Sequence, residues 1–309
     1  MPVAFPSSTL LKPPINTTRA NVLGVGVHAI TLPMAVELME ASVLERRKGY
    51  VCVTGVHGVM EAHRDPEFRR ILDRALLVTP DGMPTVWVGR LQGHSQMRRV
   101  FGPDLMSEVC RRSVRKGFTH FLYGGKPGVA ADLQRNLQRS FPGIKVVGTS
   151  SPPFKALSRN EEAELEEIVG KLVPDIIWIG LSTPKQERFM AHYIDRLPCK
   201  LMIGVGAAFD IHTGRLKDAP DWVKSNGLQW LHRLSQEPSR LWKRYLVNNS
   251  AFLLYFTMQL MGIKHYELTQ ERTIPFGVEP FPARPVIMPR SDDVYVRTGP
   301  NTIPNDAAR

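Results

Sequence analysis

Cysteine is scarce in this 309-residue chain: Cys52, Cys110 and Cys199 are the whole supply, and they stand far apart. No CxxC pair and no His/Cys ligand spacing occurs, so neither a disulfide framework nor a zinc site is indicated. The scarcity points to a reducing, cytoplasmic compartment. Long apolar runs are missing too. No stretch reaches the ~18 residues of a membrane-crossing helix. The opening segment, MPVAFPSSTLLKPPINTTRA, places prolines where a signal peptide needs an unbroken apolar region. No internal repeat is found, which argues against a solenoid. Acid is in deficit as well: 29 Asp and Glu face 40 Lys and Arg, a net charge of +11. Such an excess suits an anionic partner, whether nucleic acid, a phosphorylated substrate or an anionic membrane.

What is present has the proportions of a folded protein, 43% hydrophobic and 22% charged, with enough apolar material for a sizeable core. Residues 1–20 read as a flexible Pro/Ser/Thr-rich lead, and residues 266–309 as a Pro-rich tail without apolar periodicity. Between them lie seven candidate strands: NVLGVGVHAI, YVCVTG, ALLVTP, HFLYGG, IKVVGT, DIIWIGL and KLMIGVGAAF. Several are apolar throughout, as strands covered on both faces are. Helical patterns fall between them, among them Pro103–Lys116, Pro127–Ser140 and Arg159–Val173. The expected fold is α/β: a mainly parallel, Rossmann-like sheet over residues 21–218 with helices on both faces and right-handed crossovers. Residues 219–265 carry no strand pattern and read as a helical, membrane-proximal appendage.

Ligands of such sheets bind at the carboxyl ends of the strands, and that is where the glycines gather. FLYGGKPGVA runs from a strand through Gly124, Gly125, Lys126, Pro127 and Gly128 into a helix. Glycines let backbone approach a ligand, and a helix N-terminus favours phosphate; a plain glycine turn has the same signature. IWIGLSTPKQERF repeats the arrangement with Gly180, Ser182, Thr183, Pro184, Gln186 and Glu187. Gln186 both donates and accepts and so can read a base or sugar edge, or it and Glu187 complete a capping box behind a Ser182-Thr183 N-cap. IGVGAAFDIHTGRL supplies a third strand end with Gly204, Gly206 and Asp210. No Asp-x-Asp motif for a metal-bound sugar nucleotide appears, so no metal is expected.

Asp81 poses the sharpest question. In LLVTPDGMPTVW it follows one apolar run and precedes another. A partly desolvated carboxylate at a strand end has its pKa raised toward that of a general base. The rival reading is a turn Asp that caps the helix starting near Pro84. Arg98 and Arg99 follow shortly after; they either clamp a diphosphate or form a solvated surface pair.

Seven stretches, HGVMEAHRDPEFRRIL, VTPDGMPTVW, RVFGPDL, YGGKPGVA, IGLSTPKQE, GVGAAFD and LQWLHRLSQEPSRLWKRYL, stand in order over about residues 22–247. With these motifs the chain resembles the WecG/TagA/CpsF family of bacterial glycosyltransferases. The resemblance implies an inverting, metal-independent enzyme without a cofactor. Its donor would be a UDP-sugar carrying N-acetylmannosamine, its uronic acid or glucose. Its acceptor would be a polyprenyl-diphosphate-linked sugar in the cytoplasmic leaflet. The same resemblance puts Asp81 on the proposed catalytic base, Arg99 on an arginine implicated in activity, Gln186 on a pocket glutamine and Thr54, as a third catalytic residue, on the threonine of a family motif. The basic appendage, with Arg240 and Arg244, would close over the cleft and touch the membrane. One departure stands out: the family carries a Thr-x-Asn motif after its second strand, whereas VCVTGVHGV has Thr54 followed by Gly55, with His57 nearby as a substitute polar group.

Inversion needs one base to take the acceptor proton, and a departing UDP needs its charge balanced, here by arginines and helix N-termini. Asp81 suits the first task. Arg99, Arg233, Arg240, Lys243, Arg244 and the glycine-rich ends suit the second. Trp242 and Tyr245 beside basic residues, ahead of the apolar run 251–263, suit an interfacial helix; a core-packing or oligomer-forming helix is the other reading, and a homo-oligomer is left open. The expected location is thus the cytoplasm, peripheral to the inner face of the plasma membrane. Two rivals remain: a non-catalytic nucleotide-binding or regulatory module, and a nucleic-acid binder. The second lacks basic residues interleaved with exposed aromatics outside the C-terminal cluster, so no nucleic-acid partner is expected.

Overall fold

The computed structural model describes residues 18–153 and 155–268. Most of the expected lead and tail lies outside these residues. The chain opens on a hairpin, β1 (Arg19–Val22) and β2 (Val25–His28), followed by α1 (Leu32–Leu44), β3 (Gly49–Thr54), α2 (Val56–Arg64) and α3 (Pro66–Asp73). Next come β4 (Leu77–Pro80), α4 (Met83–Leu91), α5 (Gly102–Lys116), β5 (Thr119–Gly124), α6 (Val129–Ser140) and β6 (Lys145–Ser150). Then follow α7 (Arg159–Leu172), β7 (Ile176–Gly180), α8 (Lys185–Tyr193), β8 (Leu201–Gly204) and α9 (Ala208–His212). The described chain finishes on α10 (Asp221–Ser225), α11 (Gln229–Gln236) and α12 (Pro238–Leu260).

Strands β3 to β8 make one sheet in the order β4-β3-β8-β7-β5-β6, every pair parallel. Strand side chains alternate between two apolar layers, so both faces must be covered. Tyr50, Cys52, Val78, Phe121, Ile177 and Met202 enter one layer with residues of α2, α3, α7, α8 and α12. Val51, Leu77, Leu122, Trp178 and Ile203 enter the other with residues of α1, α5, α6 and α9. The expected α/β fold with helices on both faces is the fold observed.

One expected strand divides. NVLGVGVHAI is two strands, paired antiparallel apart from the main sheet. Leu23 and Gly24 both take positive φ, 54° and 85°, which a two-residue hairpin turn of this hand requires. The hairpin lies against the edge strand β4: Nε2 of buried His28 accepts from Arg19 Nε at 3.3 Å, so its Nδ1–H donates to the Val78 carbonyl at 3.2 Å. Burial holds that imidazole neutral, its pKa down to about 3. His28 thereby satisfies a strand edge that would otherwise be unpaired.

The appendage is helical as expected. Leu241, Asn248 and Phe252 are its buried positions on α12, seven and four residues apart and so on one helical face. Trp242, Leu246, Leu253 and Leu260 form a second, exposed stripe. No helix among the described residues is long and apolar enough to cross a membrane.

Candidate active site

Five parallel strands, β3, β4, β5, β7 and β8, deliver their carboxyl ends to one cleft, roofed by α11 and α12. Its volume is about 270 Å³. Asp81 follows β4, Gly125 and Lys126 follow β5, Gly180 ends β7, Ser182 and Thr183 come from the β7–α8 turn, and Gln186 from the first turn of α8. Gly206 and Asp210 come from the end of β8, and Arg233, Arg240, Arg244 and Tyr245 from the roof. Among the described residues no group of three His, Cys, Asp or Glu side chains is placed to hold a metal ion.

Asp81 is not a helix cap. The N-cap of α4 is Gly82, at φ 95°, and no side chain caps that helix. The Asp81 N–H instead donates to the Thr54 carbonyl at 2.9 Å, tying the ends of β4 and β3 together. Its carboxylate meets Arg99, Nε to Oδ1 at 3.5 Å, and keeps a third of its side chain open. Burial raises its pKa above the usual aspartate value, while Arg99 and Arg233 pull it back. The turn requires Gly55: a Cβ there would stand 2.5 Å from the Asp81 carbonyl oxygen. A side chain at position 55 therefore has no room with the backbone as it stands.

Arg99 does not line the cleft. It is nearly buried behind Asp81, donates to the Gln229 side chain on α11, and lies 4.1 Å over the Phe101 ring. Arg98 turns elsewhere, to the Ser95 and Met97 carbonyls. The two side chains part: Arg98 stays exposed at the surface, and Arg99 bridges the Asp81 carboxylate and the roof.

Gln186 and Glu187 do not form a capping box. The N-cap of α8 is Pro184, without a side-chain cap. Thr183 Oγ1 donates to Glu187 Oε1 at 2.8 Å, and Gln186 Nε2 donates to the same oxygen at 3.0 Å. Glu187 is 1% exposed, and burial raises its pKa despite these donors. Because the Gln186 amide nitrogen is taken, its Oε1 is left buried and unpartnered, turned toward Gly206. Glu187 thus sets the amide of the cleft residue beside it.

Of the residues selected from sequence, the cleft gathers Asp81, Gly125, Gly180, Thr183, Gln186, Gly206, Asp210, Arg240 and Arg244. Thr54 stays behind the wall, buried, with its hydroxyl donating to the Cys52 carbonyl at 3.4 Å. Gly124 is structural: its φ is 132°, and a Cβ would come within 2.7 Å of the Gly180 backbone. Pro127 and Gly128 are exposed outside the cleft, Gly128 as the N-cap of α6. Tyr245, grouped by sequence with Trp242 at a membrane surface, turns into the cleft while Trp242 stays exposed. The signal was legible in hindsight: Arg240, Leu241, Arg244 and Tyr245 repeat at helical spacing, and all four line the cleft.

Roof and floor are complementary in charge. Arg233 and Arg240 both pair with Glu237, at 2.8 and 2.7 Å. Arg244 is half-buried and makes no ion pair among the described residues. Asp210 sits on the floor, its pKa raised by burial and by Glu237. A cleft with arginines above and two ionisable carboxyls below accommodates an anionic ligand and a proton transfer together.

The model of the glycosyl transferase WecG/TagA/CpsF family matches residues 20–266. The chain belongs to that family. It is therefore a glycosyltransferase of the hexosyl type, as the sequence motifs implied. It is also similar to two curated proteins named N-acetylglucosaminyldiphosphoundecaprenol N-acetyl-beta-D-mannosaminyltransferase. One, from Bacillus spizizenii (strain ATCC 23059 / NRRL B-14472 / W23), is 30% identical over 209 residues, 67% of this chain and 79% of that protein. The other, from Bacillus subtilis (strain 168), is 27% identical over 212 residues, 68% of this chain and 80% of that protein. The family match takes in α11 and α12, so the roof of the cleft lies within it.

Proposed function

We propose that this glycosyltransferase moves an N-acetylmannosamine-type hexosyl group from a UDP-sugar to a saccharide linked to polyprenyl diphosphate, with inversion and without a metal. The observation that carries the reading is Asp81: a braced carboxylate of raised pKa, open to a cleft whose roof is arginine-rich. The names of the two Bacillus relatives supply the N-acetylmannosaminyl group and the diphosphate-linked acceptor.

In this reading an acceptor hydroxyl attacks the anomeric carbon and gives its proton to an Asp81 oxygen. The bond from that carbon to the UDP oxygen breaks on the opposite face. The new bond forms as the old one leaves, so the configuration inverts. Negative charge then grows on the departing diphosphate. Arg233, Arg240, Arg244 and Lys126 provide preorganised cations for it. Gln186 Oε1 accepts from a substrate hydroxyl or N–H, since no protein donor reaches it.

A lipid-linked acceptor places the enzyme at a membrane surface. The exposed stripe Trp242, Leu246, Leu253 and Leu260, with Lys243 beside it, has the chemistry of an interfacial helix. Incubating purified protein with a panel of UDP-sugars and a short-chain polyprenyl-diphosphate sugar tests the reading. Transfer that depends on Asp81 is expected. UDP binding without transfer to any lipid acceptor would instead leave a nucleotide-binding module.

A further inference from the structure

His57, at the start of α2, lines the cleft. Its hydrogen bonds fix which ring nitrogen carries the proton. Arg64 Nη2 meets Asn248 Oδ1 at 2.6 Å. A guanidinium only donates, so the Asn248 atom it meets is the oxygen, and the amide is not flipped. The Asn248 nitrogen then faces His57 Nδ1 at 3.1 Å. An amide nitrogen only donates, so Nδ1 accepts and carries no proton. Glu61 does not compete: it lies 3.7 Å from Nδ1 and is drawn to Arg64 at 3.4 Å.

The proton of the neutral ring is therefore on Nε2. That atom is buried and has no hydrogen-bond partner. The Thr183 backbone interacts with the ring in the sense that favours its protonated form. Burial, with Arg244 and Arg64 nearby, holds the ring neutral, its pKa down to about 3. Arg244 acts on this ring through its charge and lines the same cleft, without an ion pair among the described residues. A fixed neutral donor beside a cation makes a site for an anionic oxygen.

We propose that His57 donates its Nε2–H to a diphosphate oxygen of a substrate, alongside Arg244, and that Asn248 on α12 is the positioning residue that sets its tautomer. The oxygen belongs either to the sugar nucleotide or to the lipid-linked acceptor. The proposal rests on the transfer reading above for its substrates, but the donor itself is testable without transfer.

The experiment uses the full-length chain and three variants: His57→Phe, which removes the N–H; His57→Gln, which keeps one; and Asn248→Asp, which leaves His57 but faces it with oxygens. Nitrogen NMR of the imidazole reads the tautomer, calorimetry reads affinity for inorganic diphosphate, and circular dichroism verifies folding. The expected spectrum has the proton on Nε2 in the wild type and on Nδ1 in Asn248→Asp. His57→Phe and Asn248→Asp are each expected to weaken diphosphate binding and lower kcat/KM by about 10- to 100-fold, the effect of a lost hydrogen bond to a charged group. His57→Gln should recover most of it. A raised KM for the UDP-sugar places the oxygen on the nucleotide, and one for the lipid substrate places it on the acceptor. A wild-type proton on Nδ1, or unchanged diphosphate affinity in folded His57→Phe, overturns the proposal. Diphosphate binding that depends on His57 in a protein transferring no sugar would sink the transfer reading and leave the donor standing.

Discussion

Nε of Arg99 lies 3.5 Å from Oδ1 of Asp81; the carboxylate lines the cleft and the arginine does not. The ion pair is therefore one-sided. Arg99 lowers the Asp81 pKa against the burial that raises it, yet leaves part of the carboxylate accessible to an acceptor hydroxyl. Replacing Arg99 by Met should let burial act with less opposition. The acid limb of the rate–pH profile should then move upward, by about 1 unit or more for the loss of a neighbouring opposite charge. A limb that stays put would show that the pair does not tune the carboxylate.

Asp81→Asn should reduce kcat by at least ~100-fold, the usual contribution of a positioned base. Its stability should move the other way. A carboxyl whose folded pKa lies above its unfolded value loses stability as pH rises through that interval, so at neutral pH the ionised group is a cost to the fold. Thermal melts at neutral pH should show Asp81→Asn no less stable than the parent. A large drop in melting temperature together with lost turnover would make Asp81 a structural residue.

Glu187 offers a contrast between shape and chemistry. Glu187→Gln preserves an oxygen for Thr183 and Gln186 and should keep most activity. Glu187→Leu strands both donors, at about 1–3 kcal/mol for each buried unsatisfied group. It also frees the Gln186 amide to rotate, so steady-state kinetics should show a loss of kcat/KM in Leu that Gln does not share. Equal kinetics in the two variants would remove Glu187 from any positioning role.

Gly55→Asn puts a side chain into the β3–α2 turn, and it should fail. The side chain would press on the Asp81 carbonyl oxygen, a backbone atom with little freedom to retreat. Both melting temperature and kcat should fall. A stable, active Gly55→Asn would mean that the β3–α2 turn opens more readily than its close contacts indicate.

Much of this was readable in the sequence because it depends on local pattern. Continuous apolar runs announced buried parallel strands, and glycines marked where backbones meet, as Gly124 meets Gly180. The N-terminal hairpin was missed because NVLGVGVHAI is apolar on both sides of its turn, and periodicity cannot see a reversal that depends on the φ of Leu23 and Gly24. Roles were harder than places. Whether Asp81 capped a helix or faced a cleft was decided by Gly82 taking the cap. Whether Arg99 clamped a ligand or braced a carboxylate was decided by Gln229, 130 residues away in the chain. Contacts at that separation leave no periodic trace.

The fixings of α12 have a mechanical consequence. The Gln259 side chain bonds to the Leu23 N–H and the Asn21 carbonyl at the hairpin, and Asn248 bonds to His57 and Arg64 on α2. These grips are about 16 Å apart along the axis, at 1.5 Å for each residue. Arg244 projects one turn beyond the inner grip and Arg240 two. The helix is thus held on both sides of Arg244: by Asn248 and the hairpin on one, and by buried Leu241 and the Glu237 ion pairs on the other. An anion drawn to Arg244 settles one turn from Asn248, the residue that holds the His57 ring.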